Sequence, residues 1–280
     1  MYRRTLVFTM AVPMMLAGLE PDKTEVVHSS YPMQPGAKLT VENINGAIEI
    51  SGWDQSMIDI TATKYAETDQ LLAQLKVDVA VGGDGVHIRT IPPPDSGQVG
   101  VKYVLKVPRR AELAEIRSTN GAIRITETEG SANLRTTNGS VHAAKTRGKL
   151  EIGTSNGAVH IEENDGETDV HTSNGSIHAS AISGPLTAVT SNGAVDLKLA
   201  STTLGAVKAT TSNGGITLSM PATAGARVRA VTSSRNKIVS DFDIRKEGDN
   251  SESHLEGVVG GGGPNVELST SQGSIRLLKL

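Results

Sequence analysis

Asn-Gly pairs begin at Asn120, Asn138, Asn156, Asn174 and Asn192, each 18 residues after the last, and again at Asn213 after a gap of 21. A fixed period of this kind means that one supersecondary unit is being repeated, which restricts the fold more than any other feature of the chain. Ten residues after the first pairs comes a second glycine, at Gly130, Gly148, Gly166 and Gly184. Between these marks apolar residues alternate. Leu150, Ile152 and Thr154 precede one Asn-Gly pair, and Val159 and Ile161 follow it; Thr168, Val170 and Thr172 precede the next, with Ile177 and Ala179 after it. Period-two alternation over about six residues marks a half-buried strand. Each unit reads as strand, Asn-Gly corner, strand, Gly corner.

Two architectures satisfy that grammar. Asn-Gly between alternating hydrophobics is a strong hairpin signal, so an antiparallel meander fits the local rules. In a solenoid, each unit is one coil and coils stack about 4.8 Å apart. The identity of the columns favours the solenoid. Thr136, Thr154, Thr172, Thr190 and Thr211 all stand two residues before an Asn. Equivalent residues touch in a solenoid, whereas in a meander they lie two strands apart and have no reason to match. The expected fold is all-β: a parallel β-solenoid (β-helix) with 18-residue coils and an N-terminal β-rich capping region. Asn120, Asn138, Asn156, Asn174, Asn192 and Asn213 are expected to stack their amides as a ladder. The glycine after each is expected to take positive φ at the corner. The Thr column has the parity of the core and should bond backbone or the Asn amides.

Composition agrees. Aromatic residues make up only 2% of the 280, so the core has to be thin and built of Val, Ile, Leu and Ala. Cysteine is absent, which excludes disulfides, thiol catalysis and thiolate metal sites. A net charge of −3 leaves no overall electrostatic footprint for nucleic acid. Residues 1–19 read as a signal peptide: Arg3 and Arg4, then an apolar run too short to span a bilayer, then Ala17 and Gly18. No later segment is long enough to span one.

Outside the regular repeat, Leu39 to Ile50 repeats the grammar around Asn45-Gly46 and reads as a first coil. Within the 37–112 region, strands are expected over 57–64, 76–81, 85–91 and 99–107, with a short helix near 67–75 and a hairpin turn at 82–85. Residues 113–280 are assigned to the repeats. Near the C-terminus, Arg227 to Ser234 reads as a coil with Ser-Arg-Asn at its corner. Val266 to Gly273, followed by Ile275 and Leu277, reads as a last one. The polar, Gly-rich segment 245–264 between them reads as a mobile excursion.

The order VENINGAIEISGWD, an acidic short helix, a hairpin, YVLKVPRRAELAEIRSTNGAIRI and then TSNG repeats resembles the bacterial putative-adhesin family of β-solenoid domains. The resemblance covers roughly residues 37 to 280. It implies an exported or membrane-attached protein, periplasmic or at the cell surface, and supports the fold far more than any activity.

For chemistry, the outward columns matter. Arg124, His142, His160, His178 and Asp196 stand four residues after successive Asn. Stacked imidazoles titrate near neutral pH, and each disfavours charging the next, so depressed pKa values are expected. A straight column converges poorly on a metal ion, and no metal or cofactor is expected. Parity argues against an ice-binding Thr face, since the Thr are expected to point inward. Acidic residues are scattered and no nucleophile elbow occurs, so no catalytic residue is assigned. The expected role is a non-enzymatic envelope binding module. Its contacts would come from Arg117, Arg135, His142, His160 and His178, and its partner would be an envelope protein or a glycan. A structural or signalling scaffold is the alternative, with a carbohydrate-active β-helix enzyme behind it.

Overall fold

A computed structural model of the chain describes residues 23–94, 98–199, 205–233 and 237–280. The N-terminal part runs β1 (Lys23–Pro32), β2 (Lys38–Glu42), β3 (Ile48–Trp53), β4 (Met57–Ala66), α1 (Asp69–Gln74), β5 (Lys76–Val81), β6 (Gly85–Ile91) and β7 (Val99–Pro108). The regular repeats follow as β8 (Glu112–Ser118), β9 (Ile123–Thr126), β10 (Ala132–Thr136), β11 (Val141–Arg147), β12 (Leu150–Thr154), β13 (Val159–Asp165), β14 (Thr168–Thr172), β15 (Ile177–Ile182), β16 (Leu186–Thr190), β17 (Val195–Leu199), β18 (Val207–Thr211) and β19 (Ile216–Met220). Last come β20 (Ala226–Val231), β21 (Ile238–Ser240), β22 (Ile244–Lys246), β23 (His254–Val259), β24 (Asn265–Thr270) and β25 (Ile275–Lys279).

The solenoid is present, and the meander is excluded. Strands before the corners join one 13-stranded sheet and strands after them one 12-stranded sheet. Neighbours one coil apart pair in parallel and in register: Leu150 with Thr168, Ile152 with Val170, Thr154 with Thr172. Inward columns close the core between the sheets. Ile123, Val141, Val159, Ile177, Val195, Ile216 and Ile275 are buried on one side, and Leu134, Ile152, Val170, Ala188, Ala209 and Leu268 on the other. Aliphatic side chains repeat at each of these levels, so these columns fill without aromatic rings.

The Asn ladder runs unbroken through the stack. Each Nδ2 donates to the Oδ1 one coil back: Asn120 to Asn45 at 2.9 Å, Asn138 to Asn120 at 2.7 Å, Asn156 to Asn138, Asn174 to Asn156 and Asn192 to Asn174 at 2.8 Å, and Asn213 to Asn192 at 2.7 Å. The Thr are buried beneath it, as parity requires. Their hydroxyls donate to backbone carbonyls rather than to the Asn amides, as Thr172 does to Gly157 at 3.2 Å. The expectation of positive φ at the corner glycine is wrong, except at Gly46, where φ is +111°. Gly is required there by close approach: a Cβ on Gly175 would sit 1.9 Å from the carbonyl oxygen of Gly157. Left-handed backbone occurs at the opposite corner instead, on Glu127, Lys145, Glu163 and Ala181, at φ between 52° and 60°.

Both ends depart from simple sequential stacking. The C-terminal coil does not lie outermost. β24 pairs with β18 on one side and β20 on the other, and β25 lies between β19 and β21. At the other end, β2 lies between β6 and β8, and β3 between β7 and β9. So each terminal coil is clasped between two others, and β6–β7 form a further coil beyond the first. A buried hydrogen-bond chain fixes it there. Thr90 Oγ1 donates to Asn43 Oδ1 at 2.8 Å and lies 2.7 Å from the Tyr103 hydroxyl; burial pushes the Tyr103 pKa up to about 12.

The 245–264 segment is not a simple excursion. β23 within it pairs antiparallel with β20 and buries Leu255, Val258 and Val259. The alternating Leu255, Gly257 and Val259 hide this strand inside a polar, Gly-rich composition. Antiparallel strands end both sheets at the N-terminal end too, through β5 against β6 and β1 against β4. They break the parallel edge that would otherwise template further pairing. The α1 helix and the β5–β6 hairpin stand where the sequence places them, whereas β1 was not foreseen. The proposed signal peptide and the Ser-Arg-Asn corner at 234–236 lie outside the described residues. Among the described residues, no helix is long and apolar enough to cross a membrane.

Candidate functional site

Alternation forces the side chains between the core columns outward, and in-register pairing turns them into stripes at strand spacing. The five residues singled out in the sequence fall on two different faces. His142, His160 and His178 lie on the 12-stranded sheet, while Arg117 and Arg135 lie on the 13-stranded sheet. The core separates the two sets, so they cannot contact one ligand together.

On the first face the imidazoles stack. Ring centroids are 6.4 Å apart for His142–His160 and 5.1 Å for His160–His178, with interplanar angles of 27° and 21°. Arg124 pairs in register with His142, and Asp196 with His178. His178 Nδ1 lies 3.9 Å from Asp196 Oδ2. Burial holds the His142 pKa below its ordinary value, and the Arg124 charge pushes the same way. Glu162 opposes them, and the His160 ring adds a smaller push downward. The depression expected from stacking is therefore found at His142, but with desolvation as its main cause. Parallel stacked rings do not aim their nitrogens at a common point. Among the described residues, no three His, Cys, Asp or Glu side chains gather as a metal set would.

On the second face one column reads Glu42, Arg117, Arg135, Gly153, His171, Val189. Gly153 interrupts a row of side chains and leaves a notch. A groove of about 360 Å³ opens there, between Arg117, Arg135 and Thr137 on one side and Ser155 and His171 on the other. Arg135 Nε donates to Asn133 Oδ1 at 3.1 Å. The nearby Glu151 is taken by Lys149 at 2.7 Å, and that bond holds the Glu151 pKa low. Neither Arg117 nor Arg135 forms an ion pair among the described residues, whereas Arg109, Arg110 and Arg147 all do. His171 Nδ1 is 3.2 Å from Asp169 Oδ1, near enough for an ion pair but out of line for a hydrogen bond. The notch was not foreseen; its signal was Gly153, the one glycine within the described strands β8 to β19.

A further concavity, about 520 Å³, lies along the left-handed corner. Among its charges, Arg109 pairs with Asp54 and Glu127, each at 2.8 Å, and Arg147 with Asp165 at 3.4 Å. Thr146 Oγ1 donates to Asn164 Oδ1 at 2.9 Å behind it.

Comparison with known proteins agrees with this architecture. Residues 148–278 match the Toastrack DUF4097 family. No curated protein matches the chain in sequence. Among solved structures, a putative adhesin from Bacteroides fragilis is similar with a TM-score of 0.54 at 13% identity, over 94% of this chain and 100% of that one. A putative lipid binding protein from Parabacteroides distasonis gives 0.46 at 14% identity, over 90% and 96%. A putative cell adhesion protein from Clostridium sporogenes gives 0.31 at 13%, over 93% and 100%. At 13% identity the likeness to the B. fragilis structure speaks for the fold alone. The in-register coils, their glycine-packed corners and the family match agree: over residues 148–278 the chain is similar to the Toastrack DUF4097 family.

Proposed function

We propose that the protein is an exported, non-enzymatic binding module of the cell envelope, which presents the outward columns of a rigid β-solenoid to an envelope glycan or protein. One observation carries the reading. Arg117 and Arg135 stand side by side on the face of a hydrogen-bonded stack, and neither is in an ion pair among the described residues. Folding gains little from such a pair, since like charges on neighbouring strands repel. The B. fragilis protein of similar fold is described as a putative adhesin, and surface presentation is what such a role requires. In the corner concavity Glu127 pairs with Arg109 and Asp165 with Arg147, a structural use of those two carboxylates. Residues 1–19 supply the export signal in this reading.

Fluorescently labelled full chain titrated onto isolated bacterial envelopes tests it. Saturable binding, displaced by unlabelled protein and weakened by charge removal on either outward face, is the expected result. Non-saturable or absent binding would count against it. The continuous Asn ladder also suits a rigid spacer. In that case envelope binding would survive every substitution on the two faces.

A further inference from the structure

Charge, shape and lining at the Gly153 notch together narrow the ligand. Arg117 and Arg135 are register partners in adjacent parallel strands, so their backbones are about 4.8 Å apart. Each offers a planar fork of donors that matches a carboxylate. The next position in the column is Gly153, where an added Cβ would meet only the Arg135 side chain, at 3.9 Å. No core packing requires a glycine there, and no positive φ does either. Its effect is to open the floor of the groove beside the two guanidiniums. The walls are hydroxyls and His171, with Thr137 the exposed hydroxyl bearer and Ser155 half-buried. No apolar side chain lines the groove, so a peptide would find nowhere to bury its side chains. No Trp, Tyr or Phe ring lines it either, so a neutral sugar lacks a broad stacking platform, and charge has to supply the affinity.

We propose that this groove binds a carboxylate-bearing polysaccharide, a polyuronate. Arg117 and Arg135 pair its carboxylates, and the Gly153 notch admits a sugar ring between Arg135 and His171. The inference rests on the binding-module reading and names its ligand class. A polymer suits the column because successive uronates meet successive coils, so weak contacts add through a shared chain.

The test is titration of the full chain with polygalacturonate, with neutral dextran and dextran sulfate in parallel. The expected result is saturable binding of polygalacturonate, absent with dextran. It should weaken as salt rises from about 0.05 to about 0.5 M, where screening shortens to a few ångströms. Arg117→Ala and Arg135→Ala should each weaken it about fivefold, the upper range for an exposed ion pair, and the double variant more. Gly153→Leu should abolish it while thermal melting stays near wild type, because the side chain points to solvent. Lys198→Ala, on the other sheet, should leave it unchanged. Failure to bind polygalacturonate, equal binding of dextran, or preference for dextran sulfate untouched by the Arg substitutions would overturn the proposal. If envelopes bind the Arg117→Ala/Arg135→Ala chain as well as wild type, this inference falls and the binding-module reading stands. If envelopes do not bind the wild type, that reading falls first.

Discussion

Thr154 Oγ1 donates a 3.0 Å hydrogen bond to the carbonyl oxygen of Gly139, the residue that follows Asn138 one coil back. The same oxygen lies 1.9 Å from where a Cβ on Gly157 would stand. Each corner is thus one interlocked motif. Thr reaches inward to the carbonyl below, Asn reaches outward to the amide below, and Gly lets the two coils close to strand distance. The repeat Thr-x-Asn-Gly is the sequence record of that contact.

Gly157→Ala should therefore be among the most damaging single-methyl changes in the protein. The clash is with backbone that is itself hydrogen-bonded and cannot swing aside. We expect a loss of about 3 kcal/mol or more, an overpacking cost. Gly153→Ala adds the same methyl on the outward face and meets nothing closer than 3.9 Å. It should be neutral or stabilise by about 0.5 kcal/mol, by restricting the unfolded chain. Urea unfolding of both variants checks the contrast.

The amide ladder predicts a position effect. Asn156 donates to Asn138 and accepts from Asn174, whereas Asn213, at the ladder's end, donates to Asn192. Asn156→Ala should cost about 2 kcal/mol and Asn213→Ala about half that, one net hydrogen bond each being worth about 1 kcal/mol. Equal losses at the two sites would mean the ladder contributes nothing as a chain.

The clasped ends predict unequal tolerance to deletion. Removing 155–172 joins Thr154 to Ser173 and leaves the period intact, so the chain should fold with a lower melting temperature but an unchanged strand signature. Removing 265–280 takes out β24 and β25, the layer between β18–β19 and β20–β21. It is a shorter deletion, yet it should abolish a single cooperative unfolding transition. Circular dichroism melts of the two chains distinguish these outcomes.

His142 predicts a pH dependence. Its folded pKa lies below its ordinary value, so the unfolded chain takes up the proton first as pH falls. Stability is then full above about pH 6.5, the unfolded value, and declines as pH drops from there through the depressed folded pKa. His142→Gln should flatten the decline in that window relative to wild type. Arg124→Ala should move the His142 titration upward, measurable by NMR of the ring protons.

The coil, its corner and its inward columns were legible because each is a local pattern repeated at a constant interval. Thr154, Asn156 and Gly157 give the corner away through their copies. What was not legible follows from non-local choice. The alternation Val266, Leu268, Thr270 fits beside β18 or beyond β20 equally well, so nothing local places β24 between them. The positive-φ expectation failed because a glycine can be demanded by contact as well as by dihedral, and Gly157 does not announce which. The five proposed contact residues lie between core columns, but parity alone did not say that Arg135 and His160 lie on opposite sheets. The Gly153 notch needed the neighbouring coils in place before a missing side chain could be seen as a groove.

Every functional statement rests on which residues share a face, and so on the order of the coils. Cysteine is absent, so two introduced thiols report without background. Thr210 and Ser269 are register partners on neighbouring parallel strands, and Ser269 separates Thr210 from Val231. Thr210→Cys with Ser269→Cys should oxidise readily to an intrachain disulfide, its Cα atoms lying within the bonding range of about 4.4–6.8 Å. Thr210→Cys with Val231→Cys should stay reduced, two strand spacings apart at about 9.6 Å. The opposite pattern would place the coils in simple chain order and contradict the account.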